Sequence, residues 1–257
     1  MWKSHIIKSQ TGSDDPELQE TLQDALGQVS PADVIAIAEE LAERQARLFS
    51  GFEPASANLA VSFPEIFAAV THTRANAQTL ASTFAHTDYR LFDDLLTGVA
   101  PTHQRVAAFV EQFLALDTRL ALELATGLLH NIAPQDNWLW TRWLWDPTTG
   151  SGALPLLAGG IHNLGSTSLA NGYTRVGAVS AMSLKFGEGT GLLTPELLNN
   201  EKRAPFAKSA FLACVYSVYM YGTTSWRLSR EFNNLLPKLP NMARRLLGLR
   251  KAGSADC

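Results

Sequence analysis

The chain has 257 residues, 46% of them hydrophobic and 18% charged, and 21 Lys and Arg against 24 Asp and Glu give a net charge of −3. So much apolar side chain with so little charge excludes a disordered polymer. Eighteen glycines without a three-residue period, and only two cysteines, exclude collagen-like and disulfide-scaffold chains.

Residues 1–13 read as a loose tail, and residues 14–257 as one helical domain in three stretches. The first, 14–132, is a helical array. Asp15-Pro16-Glu17 opens a helix to about Leu26, with a cap, a first-turn proline and acids at the positive end. Ser30-Pro31-Ala32-Asp33 repeats that grammar, and Val34, Ile37, Ala38, Leu41, Ala42 and Leu48 then recur at helical spacing. Further helices are predicted over 62–85, 88–96 and 101–116, with Asp117 capping or joining one that reaches Asn131. The second stretch, 133–191, is rich in Trp and then in Gly, and one helix from about Ser166 to Phe186 interrupts it, ended by Gly187. In the third, 192–251, Thr194-Pro195-Glu196 opens a short helix and Pro205 an apolar one that turns at Gly222. Helices over 227–236 and 240–251 close the chain. No run alternates like a strand, so the predicted fold is all-α: a multi-helix bundle with an irregular Trp/Gly-rich segment across one side.

The net charge conceals a split. Asp14 to Glu53 holds ten acids and two bases, or −8, whereas Glu201 to Cys257 holds ten bases and three acids, or +7. Such ends attract each other, within the fold or between copies, or the basic end meets an anionic polymer. The uncharged run Ser209 to Trp226 approaches the length of a membrane span, but its hydroxyls favour a buried core helix. Two isolated cysteines, with Cys214 in an apolar run, and an N-terminus without a secretory signal point to a reducing, cytoplasmic setting.

The sharpest local anomaly is Trp138, Trp140, Trp143 and Trp145 around Arg142, followed by Asp146 and a Pro147-Thr148-Thr149-Gly150-Ser151-Gly152 loop. Were this run helical, Trp138, Arg142 and Trp145 would share a face and Trp140 and Trp143 would lie to the side, one set packing inward and the other meeting a ligand or partner. The loop fits no nucleotide-binding fingerprint. No histidine pair has metal-ligand spacing, so no metal site is expected, and no cofactor is indicated. Asp93-Asp94 lacks the second acidic cluster that a diphosphate-binding Mg²⁺ site needs, and no Gly-x-Ser-x-Gly elbow occurs.

Three functions follow as expectations. The first is a non-catalytic interaction or accessory protein, self-associating or held in a complex through the tryptophan segment. The second is a helical enzyme or small-ligand-binding protein, its pocket beside Trp138–Trp145 with His130, Arg142, Asp146, His162 and Arg175 as polar groups. The third is nucleic-acid binding by the basic helix carrying Arg244, Arg245, Arg250 and Lys251, with contact to a membrane surface less favoured still.

Overall fold

The computed structural model describes residues 26–49, 66–67, 70, 77, 80, 82, 90–113, 117–158, 164–225 and 238–249. The expected tail, the helix from Asp15, most of the helix over 62–85, the helix over 227–236, and His162, Arg250 and Lys251 lie outside them.

Among the described residues the chain is all-α, with nine helices packed on one another and no strand. In order they are α1 (Pro31–Phe49), α2 (Arg90–Thr97), α3 (Thr102–Gln112), α4 (Thr118–Ile132), α5 (Ala153–Ala158), α6 (Leu169–Gly189), α7 (Pro195–Leu198), α8 (Ala204–Ser225) and α9 (Leu239–Leu246). The start signals act as their chemistry requires. At α1 the Asp33 carboxylate accepts from the Ser30 N–H at 3.0 Å, and the Ser30 hydroxyl accepts from the Asp33 N–H at 3.2 Å, a reciprocal capping box. Asp117 caps α4 through the Arg119 N–H, Ser168 caps α6 through the Asn171 N–H, and Thr194 caps α7 through the Leu197 N–H.

Helix α8 is apolar all round and is therefore central. It packs against α1, α5, α6, α7 and α9, burying Phe206, Phe211, Leu212, Cys214 and Val215. Its buried serines are satisfied inside: the Ser217 hydroxyl donates to the Ala213 carbonyl at 2.7 Å, and the Ser209 hydroxyl lies 2.9 Å from His130 Nε2. Burial pushes the Cys214 thiol up to about 12, so it stays protonated and inert. Contrary to the expected turn at Gly222, the helix continues to Ser225, since a single glycine within an apolar run weakens a helix without ending it. No helix among the described residues is long and apolar enough to cross a membrane.

The opposed charges meet within the chain. Glu40 of α1 pairs with Arg244 of α9 at 2.7 Å, and Glu39 pairs with Arg203 just before α8. Beneath them the buried Arg44 donates to the Leu247 carbonyl at 2.7 Å and to Asn131 Oδ1 at 3.1 Å, joining α1, α4 and the turn after α9. A charged donor to two buried acceptors stabilises by more than a surface pair does. We expect Arg44→Met to cost roughly 1.5–3 kcal/mol in chemical denaturation. Hydrogen exchange should accelerate first in α9, whereas unchanged α9 protection would show that Arg44 does not hold this end.

Candidate functional site

Residues 133–152 form no helix, so the helical face proposed for Trp138, Arg142 and Trp145 does not exist. The segment descends along α4 as extended chain and turns, then folds back: the Asp146 N–H donates to the Ser151 carbonyl at 2.8 Å and the Ala153 N–H to the Trp143 carbonyl at 2.8 Å. Gly152, at φ +138°, is required there, because a Cβ would strike the Leu144 carbonyl.

Buried irregular backbone needs hydrogen-bond partners, and α4 supplies them from one face. Glu123 Oε1 accepts from the Arg142 N–H at 3.3 Å. The Thr126 hydroxyl accepts from the Trp140 N–H at 3.1 Å, with the Trp140 and Leu122 carbonyls at 3.2 and 2.9 Å for its own proton. His130 Nδ1 lies 2.9 Å from the Asn137 carbonyl. That acceptor fixes the tautomer: Nδ1 carries the proton, and Nε2 accepts from the Ser209 hydroxyl of α8 at 2.9 Å. Spaced i, i+3 and i+7, these side chains form a polar ladder on an otherwise apolar helix, running antiparallel to the loop.

The tryptophans turn inward from this ladder. Trp143 is 2% exposed and Trp140 5%. Trp140 donates its indole N–H to the Trp145 carbonyl at 3.0 Å. Trp138 stacks on Tyr173 of α6, with ring centroids 4.8 Å apart, and the two exchange hydrogen bonds to each other's backbone carbonyls. Gly172 and Gly177 let α6 approach: a Cβ at Gly172 would sit 2.7 Å from Trp140, and one at Gly177 would overlap the Trp138 ring. The extra tryptophans thus find opposite walls of one interior because the chain is not helical.

Between the start of α4, this loop and the start of α6 lies a cavity of about 340 Å³. Trp140, Trp145, Leu122, Leu164 and Leu169 supply its apolar wall. Asp117, Arg119, Glu123, Thr141, Arg142, Asp146 and Thr148 supply the polar groups, with Ser166, Thr167 and Ser168 at the α6 side. Of the residues singled out by sequence, it gathers Trp140, Arg142, Trp145 and Asp146. His130 instead joins α4 to α8 in the core, Trp138 and Trp143 pack elsewhere, and exposed Arg175 donates to the Gly165 carbonyl. Arg244 is engaged by Glu40, while Arg245 is exposed. Sequence reasoning missed Asp117, Arg119, Glu123 and Thr141 as site residues. The signal available for Glu123 was its place with Thr126 and His130 at helical spacing within an apolar run.

Two carboxyls in the cavity are driven apart. Burial pushes Glu123 up to about 7, against the opposing Arg142 N–H and the charges of Arg119 and Arg142. Burial acts on Asp146 in the same direction, but the Thr148 N–H, the Arg142 guanidinium and the Thr148 hydroxyl outweigh it, with help from Arg119, and hold it below the usual carboxylate range. Asp146 is therefore ionised and hydrogen-bonded, while Glu123 exchanges its proton near neutrality. No family model, characterised protein or solved structure matches this chain. No group of three His, Cys, Asp or Glu able to hold a metal ion occurs among the described residues.

Three outcomes follow. Thr126→Val keeps shape but strands the Trp140 N–H, and should cost about 1–3 kcal/mol of unfolding free energy. Gly177→Ala should lower the melting temperature by an amount equivalent to about 1–3 kcal/mol, through overlap with Trp138. Glu123 contributes stability that is complete below its unfolded value of 4.5 and is lost as pH rises through about 7. Buried His130, pushed down to about 4, has the opposite sign: its contribution is complete above 6.5 and lost as pH falls through about 4. The melting temperature of Glu123→Gln relative to the parent should therefore climb from about pH 5 to about pH 8. A flat difference would contradict the buried, proton-exchanging carboxyl.

Proposed function

We propose that this protein binds a small ligand in the cavity between α4, the tryptophan loop and α6. The observation that carries the reading is convergence: an indole wall and carboxyls of contrasting protonation line one concavity, although they come from separate parts of the chain. A site that holds one carboxyl ionised and lets another exchange its proton near neutrality is also equipped for acid–base chemistry.

The interaction reading takes the Trp138–Trp145 segment as its surface, and there Trp140 and Trp143 are interior while Trp138 and Trp145 are half-buried. The exposed large apolar side chains among the described residues are Val99, Met182 and Tyr219, on separate elements. Nucleic-acid binding loses Arg244, which is engaged by Glu40. A cytoplasmic setting belongs to the proposal and is supported by the buried free thiol of Cys214.

Thr167 is exposed at the cavity, so Thr167→Trp fills its mouth without disturbing the core. Ligand-observed NMR with a chemically mixed fragment library should give hits on the parent protein that vanish with this variant while its melting temperature is kept. Hits that survive Thr167→Trp unchanged, or no hits at all, would defeat the proposal.

A further inference from the structure

On the premise of the small-ligand reading above, the charges around the cavity select a class of ligand, because one of them has no counterpart. Asp146 is answered by Arg142, whose Nε donates to its Oδ2 at 3.2 Å, and by the N–H and hydroxyl of Thr148. Asp117 stands at the positive end of α4 and accepts from the Arg119 N–H at 3.0 Å. Glu123 is 5% exposed and holds its proton at slightly acid pH, so it adds no charge there. Arg119 is the cation left over. It is half-buried at the cavity, its guanidinium donates only to the Thr148 hydroxyl at 3.5 Å, and no carboxylate of the described residues lies within ion-pair distance of it.

Two guanidinium groups converge at this place. Arg119, Thr148, Asp146 and Arg142 form one chain of contacts, and the charges of both arginines act on Glu123. Each arginine commits one guanidinium nitrogen, to Thr148 or to Asp146, and leaves its other two without a hydrogen bond among the described residues. A carboxylate matches such planar forks bidentately, which a point-like anion does not. One negative charge answers Arg119. A second would face Asp117 and Asp146, and a cation would add to the charge already unmatched. An ammonium beside the carboxylate would find Asp117 and Asp146 already engaged. Leu122, Leu164 and Leu169 also line the cavity, whose volume of about 340 Å³ leaves space for a hydrocarbon body of about one ring beyond the carboxylate.

We infer that the cavity takes a small apolar monocarboxylate, its anionic group held by the free nitrogens of Arg119 and Arg142 and its hydrocarbon part lying against Leu122, Leu164 and Leu169.

Glu123 makes this binding depend on pH. The charged groups facing it are Asp117 and Arg119 from its own helix and Arg142 from the loop. The α6 side of the cavity contributes Ser166, Thr167 and Ser168 without charge, and α1, α2 and α3, which pack on α4, place no charge on Glu123 among the described residues. Burial pushes Glu123 up to about 7, so above neutrality it ionises and competes with the ligand for both guanidinium charges. Affinity is therefore greatest with Glu123 protonated and falls as pH rises through about 7, although the ligand stays ionised throughout.

The test is isothermal titration of benzoate and hexanoate in chloride-free buffer at about pH 6 and about pH 8.5. At about pH 6 at least one should bind with a Kd of about 1 mM or below. Benzamide, benzylamine, phenylalanine, sulfate and chloride should bind about tenfold more weakly or not at all. Arg119→Gln should weaken the carboxylate about tenfold with the melting temperature kept, and Thr167→Trp should abolish binding. At about pH 8.5 the parent should lose about tenfold in affinity, whereas Glu123→Gln, which keeps an acceptor for the Arg142 N–H, should bind alike at both pH values. Equal or tighter binding of benzamide, benzylamine, phenylalanine, sulfate or chloride would overturn the ligand class and leave the pocket standing. Carboxylates that both fail would overturn the class as well, while the fragment screen decides the pocket separately. Binding indifferent to Arg119→Gln or to Thr167→Trp, or a parent affinity that holds at about pH 8.5, would overturn the inference.

Discussion

A polypeptide that runs through a protein interior without regular structure must have its amides and carbonyls met by something, and here one helix meets them. Glu123, Thr126 and His130 stand on successive turns of α4 and take up the backbone of residues 137–142. They do for the loop what a neighbouring strand does in a sheet, with side chains in place of a second backbone. Everything around the cavity depends on this ladder. It sets the height of Trp140 against α6, carries Arg142 and Asp146 to the cavity edge, and through His130 and Ser209 ties the loop to the central helix.

The ladder also explains why a stability device and a candidate site share residues. Glu123 is its first rung and a buried ionisable group of the cavity. Its backbone contact fixes one oxygen, and burial raises the affinity of the carboxyl for a proton. His130, the last rung, is held neutral for the same reason but is sealed between α4 and α8. Two buried titratable groups in one row thus differ in consequence because one row end opens on a cavity and the other on the core.

Much of the helical framework was legible in the sequence. Ser30-Pro31, Asp117 and Thr194 all stand at or next to helix starts, because capping is local chemistry between residues two or three apart. The complementary charges of the two ends were legible as well, and Glu39, Glu40, Arg203 and Arg244 pair within the chain. The cavity was legible only in part. A cluster of tryptophans is conspicuous in any sequence, whereas Thr141 becomes notable only when its hydroxyl is seen buried without a partner.

Composition and periodicity by themselves determined an all-α chain, its helix starts, a buried apolar helix and an unusual tryptophan segment, since each follows from neighbours along the chain. Tertiary structure alone decided which way the tryptophans face and which polar residues meet. Trp138 and Trp143 pack within while Trp140 and Trp145 wall a cavity; Asp117, Arg119 and Glu123 join Asp146 there, and His130 and Arg175 do not. The physical reason is that the loop has no period of its own: its path is set by hydrogen bonds to a helix up to 19 residues earlier, as between Glu123 and Arg142. Orientation imposed by such a partner leaves no trace in local spacing.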